Sequence, residues 1–191
     1  EKIENDPNIK LKKVLSAKEL FKSIMKTQLE TGMPYIFFKD RANEVNHNSH
    51  MGMIGNGNLC MESFSNFKPT INFVEEEDGN TSIRRSEMGE IHTCNLISIN
   101  LAELTSDELE KHVALAVRAL DNTIDLTVTP LKESKKHNLL YRTIGVGAMG
   151  LADYLAREYM IYEESINEIN ELFERIALYS IKASALLAKD R

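Results

Sequence analysis

Two stretches of the chain combine a helix start signal with apolar residues at helical spacing. Ser16 and Glu19 form a capping box, in which each side chain bonds the other residue's backbone N–H, and this predicts a helix over about 17–30. The tetrapeptide Thr-Ser-Asp-Glu at 105–108 forms a second capping box. One apolar stripe follows it, made of Leu109, Val113, Ala116, Val117 and Leu120. Both patterns predict helices, and the second predicts one apolar face.

The last third of the chain carries three further helical patterns. Residues 132–141 have a weaker pattern that predicts a short helix or a turn, and 151–157 predict another helix. Ser165 with Glu168 is a start signal for a long helix. The predicted shared face of that helix consists of Ile169, Leu172, Phe173, Ile176, Ser180 and Ala183.

Short runs rich in β-branched and aromatic residues predict the strands. These runs are the segments 35–38, 91–101 and 142–144. The polar, glycine-studded segment 39–57 predicts a long loop, and the charged segment 75–90 predicts an exposed excursion. Alternating helices and strands are typical of an α/β fold, with strands buried between helices. With no linker or repeat to divide the chain, residues 1–191 are interpreted as one domain or part of one.

Composition and charge exclude several classes of function. The chain has 191 residues and a net charge of −6 with both signs interleaved, so no basic surface for nucleic acid or an anionic membrane is expected. No apolar run approaches the roughly 18–20 residues of a membrane span and no leader pattern is present, so we expect a cytoplasmic protein. Cys60 and Cys94 lack disulfide-scaffold or metal-site spacing, and two buried apolar thiols are the simplest interpretation.

The segment 58–64 groups three side chains that could carry chemistry. If it is extended, Asn58, Cys60 and Glu62 point to the same face. A carboxylate near a thiol disfavours the thiolate, so Cys60 suits hydrogen-atom chemistry better than nucleophilic attack. The alternative is an exposed edge strand whose amide and carboxylate are merely solvated.

Two other features have weaker chemical interpretations. Residues 145–150 read Gly-Val-Gly-Ala-Met-Gly, the glycine spacing of a dinucleotide loop, but no second apolar strand follows, so a tight strand-to-helix turn is the preferred interpretation. The five histidines are scattered, and the two in the predicted loop, His47 and His50, have no carboxylates or thiols at metal-site spacing, so these two are predicted to be solvated. The five are His47, His50, His92, His112 and His137.

Four blocks of sequence, in order along the chain, resemble a known family. They are Gly-Met-Pro-Tyr-Ile-Phe-Phe-Lys-Asp at 32–40 with Asn43, Asn-Leu-Cys-Met-Glu at 58–62, Cys94-Asn95-Leu96 with Ser98, Asn100 and Leu101, and Arg-Thr-Ile-Gly-Val-Gly at 142–147 with Gly150-Leu151-Ala152. Together they resemble the large, catalytic subunit of class I ribonucleoside-diphosphate reductase, and the first block resembles the bacterial class Ib type. The chain is accordingly expected to be an internal segment of that subunit.

The resemblance implies a fold and roles for four residues. It implies part of a ten-stranded α/β barrel, with helices packed around buried strands and a finger loop that carries residues 58–62 into the centre. Cys60 would be the thiyl radical that removes the ribose 3′ hydrogen, Glu62 the base for the 3′-hydroxyl, and Asn58 a hydrogen-bonding partner of the substrate hydroxyls. Cys94 would be one of two cysteines that deliver reducing equivalents and become a disulfide.

The resemblance also implies partners. The substrate would be a ribonucleoside diphosphate, the radical would come from a separate small subunit with an iron or manganese pair, and ATP and dNTP effectors would bind elsewhere in the full subunit. A thioredoxin- or glutaredoxin-type reductant would restore the thiols. The second redox cysteine, the effector region and the radical-relay tyrosines are missing, so the chain alone is expected to be inactive.

Three hypotheses therefore make different structural predictions. A catalytic segment should hold Cys60 in a central polar pocket, with Cys94 on a neighbouring strand. A nucleotide-binding module should have a phosphate site at 145–150. A non-catalytic segment that only complements the remaining segments of the subunit should expose broad apolar faces.

Overall fold

The computed structural model describes residues 13–77, 79–105 and 107–191, without the side chains of 73–77 and 81–86. Ser106, in the second capping box, and Asp78, in the charged segment, lie outside the described residues. The chain forms two compact units, Glu1–Phe38 and Lys39–Arg191. Each unit is described by itself.

The first unit contains one helix, α1 (Ala17–Thr31), within its described part. The Ser16 side chain accepts a hydrogen bond from the Glu19 N–H (3.4 Å), which confirms the predicted capping. Gly32 ends the helix in the left-handed conformation (φ 77°), and its N–H donates to the carbonyl of Gln28. The predicted strand at 35–38 is wrong, because these residues are irregular and no neighbouring strand in the described part of the unit pairs with them.

The second unit begins with a short helix and a β-hairpin, where a long loop was predicted. Helix α2 (Lys39–Glu44) is followed by strands β1 (Ile54–Gly57) and β2 (Phe64–Asn66), which pair antiparallel. The side chain of Asn43 makes two hydrogen bonds to the backbone of Ile54, as a neighbouring strand would. Its amide donates to the carbonyl of Ile54 and its oxygen accepts from the N–H of Ile54, both at 2.9 Å. The polar residues that make these contacts do not follow a hydrophobic period, so the hydrophobic pattern of the sequence did not predict the helix and the hairpin.

The charged segment predicted as an exposed excursion forms a second antiparallel hairpin. Its strands are β3 (Ile71–Glu77) and β4 (Asn80–Glu87). A bridge between Lys68 and Glu90 closes the base of this hairpin, with N–H to carbonyl distances of 3.2 and 2.9 Å. Gly89 lies buried at this base, packed against the backbone of residues 68–70.

Gly89→Ala is expected to destabilise the chain by about 1–3 kcal/mol, because the added methyl group would collide with the Lys68 carbonyl and the Pro69 backbone. The bridge holds that backbone in place, so it cannot move aside cheaply. Gly52→Ala is the matched control, since its methyl group would meet only side-chain atoms of Asn66 at 3.6–3.8 Å, an ordinary contact. Urea unfolding of both variants measures the difference, and equal midpoints would contradict the prediction.

Two parallel strands and the helices around them form the core of the second unit. Strand β5 (Leu96–Asn100) pairs with β6 (Gly145–Met149). The helices are α3 (Leu109–Leu126), α4 (Lys132–Tyr141), α5 (Leu151–Arg157) and α6 (Ile166–Asp190), with 3₁₀ turns at Leu101–Glu103 and Tyr162–Glu164. The core cluster consists of Ile99, Leu101, Leu109, Val113, Ala116 and Ile176.

The predictions for helices α3 to α6 are largely confirmed, and the exceptions concern their ends and edges. Every residue of the α3 stripe is buried. The second capping box is half formed, since the Glu108 carboxylate accepts from the N–H and hydroxyl of Thr105 while α3 starts only at Leu109. Ser165 does not cap α6, because its hydroxyl donates to the Ile161 carbonyl (2.7 Å). Phe173 was wrongly assigned to the buried face and is 42% exposed.

Two strand predictions are displaced along the chain. The predicted strand at 91–101 is paired only over Leu96–Asn100, and the strand predicted at 142–144 lies instead at Gly145–Met149. Arg142 ends α4 in the left-handed conformation, held by its guanidinium bond to the Asp121 carboxylate (2.6 Å). The described residues contain three separate two-stranded sheets, so the parallel pair β5–β6 has both outer edges open.

Candidate active site

The tip of the first hairpin, residues 58–63, is a closed turn and not the extended strand that was predicted. The Asn58 N–H donates to the Ser63 carbonyl (3.1 Å), and the Met61 N–H donates to the Asn58 carbonyl (3.2 Å). Met61 adopts a positive φ of 62°, which a strand does not allow. In this turn the side chains of 58–63 do not alternate between two faces as they would in a strand.

Asn58 closes this turn with its side chain and also holds Glu62. Its oxygen accepts from the N–H groups of Glu62 and Ser63, both at 3.0 Å, and its amide nitrogen donates to the Glu62 carboxylate at 2.6 Å. One carboxylate oxygen is therefore oriented by the amide, which leaves Glu62 with lone pairs that can accept a proton from a bound hydroxyl. Asn58 and Glu62, which were grouped in the sequence analysis, are thus directly hydrogen-bonded.

Cys60 lies at the apex of the tip as an exposed free thiol. The expectation of a central polar pocket around Cys60 is not met within the described residues. Two parallel strands cannot enclose a cavity, since a closed barrel of this kind needs about eight or more. What the chain itself supplies is a thiol presented beyond the end of a hairpin, with an amide and a carboxylate beside it in the turn.

Cys94 is also an exposed free thiol, and it lies just before β5, not on a strand as predicted. Its neighbour Asn95 is buried and fixes the backbone here, because its amide donates to the Thr143 carbonyl (3.1 Å) and its carbonyl accepts from the Gly145 N–H (2.9 Å). Cys94 opens onto a groove of about 360 Å³. The groove is lined in part by four threonines, Thr93, Thr123, Thr127 and Thr129.

Two histidines connect the hairpin to the segments around it, and the sequence analysis missed both. His92 Nε2 lies 2.7 Å from the Ser63 hydroxyl, and His137 Nε2 lies 3.0 Å from the Ser65 hydroxyl. His137 is fully buried and His92 is half-buried, whereas His47 and His50 are exposed as predicted. The bond from Ser63 to His92 links the tip to the segment that carries Cys94.

The electrostatics around these histidines keep them neutral at pH 7. Burial, reinforced by the nearby His92, lowers the pKa of His137 to about 4, and burial also lowers the pKa of His92. Glu90 is the buried anion of the cluster. Burial alone would raise its pKa, but hydrogen bonds from the Tyr141 hydroxyl and from Lys136 outweigh that effect and hold the pKa below its ordinary value.

Most of the glycine-rich segment is a strand, so the predicted strand-to-helix turn is confined to Gly150 and the alternative nucleotide-binding loop at 145–150 is not present. Gly145 and Gly147 pair in parallel with Leu96 and Ser98 of β5. A Cβ at Gly145 would meet the Leu96 side chain at 2.5 Å, so close packing accounts for the glycine there. Only Gly150 lies in the turn that leads into α5, with φ 73°.

Comparison with known proteins gives the family. The family model for the ribonucleotide reductase barrel domain matches residues 1–191. The chain belongs to this family. Similar proteins named ribonucleoside-diphosphate reductase subunit alpha occur in Synechocystis sp. (47% identity over 97% of the chain and 22% of the relative), in Helicobacter pylori (36%, 98% and 29%) and in Treponema pallidum (37%, 94% and 22%). The chain thus spans between about a fifth and three-tenths of these relatives.

Membership of the ribonucleotide reductase barrel family explains the architecture of the second unit. The prediction of an α/β barrel segment with helices around strands and a finger loop is confirmed. The parallel pair β5–β6, packed against helices, is what a part of such a barrel contains. None of the described helices is long and apolar enough to span a bilayer.

Proposed function

We propose that this chain is the part of a ribonucleoside-diphosphate reductase that carries the radical-forming thiol. The observation that carries the proposal is the tip itself, where the exposed Cys60 thiol lies in a turn closed by the bond between Asn58 and the Glu62 carboxylate. The names of the relatives, which are those of reductase alpha subunits, support the same reaction. The expected product is a deoxyribonucleoside diphosphate.

Three residues of the tip have chemical tasks in this proposal. Cys60 loses a hydrogen atom to the radical source, and the resulting thiyl radical takes the hydrogen atom from ribose C3′, which re-forms the S–H bond and leaves a carbon radical. Glu62 accepts the proton of the 3′-hydroxyl as a general base. Asn58 orients the Glu62 carboxylate and donates to the substrate hydroxyls. A thiol that stays protonated, beside a carboxylate, suits this pairing of atom and proton transfer.

Cys94 is proposed to supply electrons for the reduction of the sugar. Two thiols together give up two electrons and two protons as they become a disulfide. Because Cys60 is used as the hydrogen-abstracting group, the thiol that pairs with Cys94 comes from another segment of the subunit. The groove in front of Cys94 gives the second thiol and the reductant a route to its sulfur.

The proposed partners follow from what the chain does not supply itself. A protein thiol cannot generate its own radical, so a separate subunit with an iron or manganese pair supplies it. ATP and dNTP effectors, a thioredoxin- or glutaredoxin-type reductant and the remaining segments of the subunit complete the enzyme. Exposed apolar grooves support docking of those segments. One groove, of about 630 Å³, lies between β6 and α6 and is lined by Val146, Phe173, Ala177 and Ile181.

The test of the proposed function is reconstitution. The chain is mixed with the flanking segments of a reductase subunit alpha, the radical-generating subunit and a dithiol, and conversion of ribonucleoside diphosphate is followed chromatographically. We expect deoxyribonucleoside diphosphate only in the complete mixture, and none when this chain is omitted or tested alone. A complete, correctly assembled mixture without product would contradict the proposal, and leave the chain as a structural element that only complements other segments.

A further inference from the structure

The side chains of β2 alternate between two sets of anchors. Ser63, which precedes the strand, and Ser65 project to one side, and each meets a histidine, His92 and His137 respectively. Ser65 is buried, so its hydroxyl is hydrogen-bonded to the His137 imidazole instead of to water. One side of the strand is thus held at two successive points.

The opposite side of β2 is held by asparagines. The Asn66 amide donates to the Asn48 carbonyl (2.9 Å), and its oxygen accepts from the Asn46 amide (2.9 Å). Asn66 is fully buried, and its backbone pairs with Ile54 of β1. Of these side-chain contacts, the bond between Ser63 and His92 therefore lies nearest the tip, and the Asn66 contacts secure the far end of the strand.

The histidines are themselves backed by a packed polar cluster. The ring of His137 lies 5.2 Å from the ring of His92 and 4.7 Å from that of Tyr141, measured between centroids. The Tyr141 hydroxyl donates to Glu90 (3.0 Å), which also pairs with Lys136 at 3.2 Å. Tyr141 and Lys136 are both on α4, so the cluster anchors the hairpin to a helix.

From this arrangement we propose that His92 and His137 are positioning residues that act through Ser63 and Ser65 to set the place of the tip, and with it Cys60 and Glu62. Ser63 follows Glu62 directly, so any movement at this serine is passed to the carboxylate. The effect on turnover rests on the proposed function, whereas the effect on the position of the tip does not. Misplacement of a reacting group by about 1 Å can slow a reaction on the order of a hundredfold.

Two variants at His92 distinguish a positioning role of its hydrogen bond to Ser63 from a role in which the side chain only fills space. A glutamine amide reaches about as far as Nε2, whereas an asparagine amide ends near the position of Nδ1, so only His92→Gln can keep the bond to Ser63. Both replacements are neutral, like the histidine they replace. Ser63→Ala removes the same bond from the other side. The exposed His50 provides the matched control, His50→Asn.

The first measurement uses the chain itself and needs no turnover. Hydrogen exchange of the amides in 54–66 reports the opening of the tip. We expect His92→Asn and Ser63→Ala each to raise the exchange rate by about tenfold, from the loss of one hydrogen bond, and His92→Gln and His50→Asn to stay within about twofold of the wild-type rate. The double variant of Ser63→Ala with His92→Asn should add no further increase, because the two share one interaction.

The second measurement repeats the set in the reconstituted enzyme. His92→Asn should lower kcat by about ten- to a hundredfold with KM unchanged, and His92→Gln should restore most of kcat. Equal exchange rates for the glutamine and asparagine variants, or a double variant with additive effects, would overturn the positioning role. Exchange that follows the expected order without any turnover in the reconstituted wild type would instead overturn the proposed function alone. His137→Gln and His137→Asn provide the same comparison at the buried site.

Discussion

Cys60→Ser is expected to abolish ribonucleoside diphosphate reduction in the reconstituted enzyme. The hydroxyl O–H bond of serine is much stronger than the S–H bond of cysteine, so the same radical source cannot convert the serine into an oxygen radical. The side chain is exposed, and serine has nearly the same size, so the hairpin should keep its fold. The measurement is product formation at saturating substrate, beside a thermal unfolding curve of the chain.

Cys94→Ser is the informative comparison for that variant. In the proposed mechanism it removes the electron source but leaves the radical site, so slow exchange of the ribose 3′ hydrogen should persist with Cys94→Ser and vanish with Cys60→Ser. Unchanged unfolding curves for both variants would exclude a folding defect. Turnover that survives Cys60→Ser would refute the radical role and leave family membership without this mechanism.

Glu62→Gln is expected to lower turnover by about 10²- to 10⁴-fold, the usual contribution of a general base. Glutamine has nearly the same shape, and its oxygen can still accept the hydrogen bond that the Asn58 amide now donates to Glu62 (2.6 Å). The turn should therefore persist while the group that takes the proton is lost. Initial rates and KM in the reconstituted enzyme measure the effect, which should fall on kcat.

The control for this variant is an exposed glutamate outside the tip. Glu44→Gln removes a carboxylate whose one ion pair among the described residues is with the exposed Arg41 (2.8 Å), and it should leave turnover unchanged. Hydrogen exchange of the hairpin in Glu62→Gln should match that of the wild type. Turnover of Glu62→Gln within about threefold of the wild-type rate would show that another group takes the proton.

Helices were predicted well from the sequence because their signals are local. The capping pair Ser16 and Glu19 and the buried stripe of α3 depend only on spacing within one segment. The errors at Ser165 and Phe173 concern a cap and an edge position, where neighbouring segments decide. The Ser165 hydroxyl donates to the Ile161 carbonyl instead of accepting from an N–H group of α6. Phe173 lines an open groove.

Strands were predicted less well because each one needs a partner that periodicity does not identify. Residues 35–38 have strand-like composition, yet no neighbouring strand within the described part of their unit pairs with them. Residues 145–149 lack that composition and nevertheless form β6, because glycines let it lie close to Leu96 and Ser98. Pairing outweighed intrinsic preference in both segments.

The chemistry of the tip was inferred from residue types, while its geometry was not. Asn58, Cys60 and Glu62 were grouped on the assumption of an extended segment, whereas a turn closed by the Asn58 side chain brings Asn58 and Glu62 into contact. The histidine contacts could not be found from sequence alone, since Ser65 and His137 are 72 residues apart. The alternation of small polar residues at 63 and 65 was the one local signal available.

The three hydrogen bonds of Asn58 restrict which residues that position can hold. Its side chain must accept from two backbone N–H groups and donate to a carboxylate at the same time. Aspartate would keep the acceptor but set a second negative charge against Glu62, and serine would not span both contacts. The fold of the turn and the orientation of the Glu62 carboxylate therefore depend on the same amide group. A substitution of Asn58 is expected to disturb both at once.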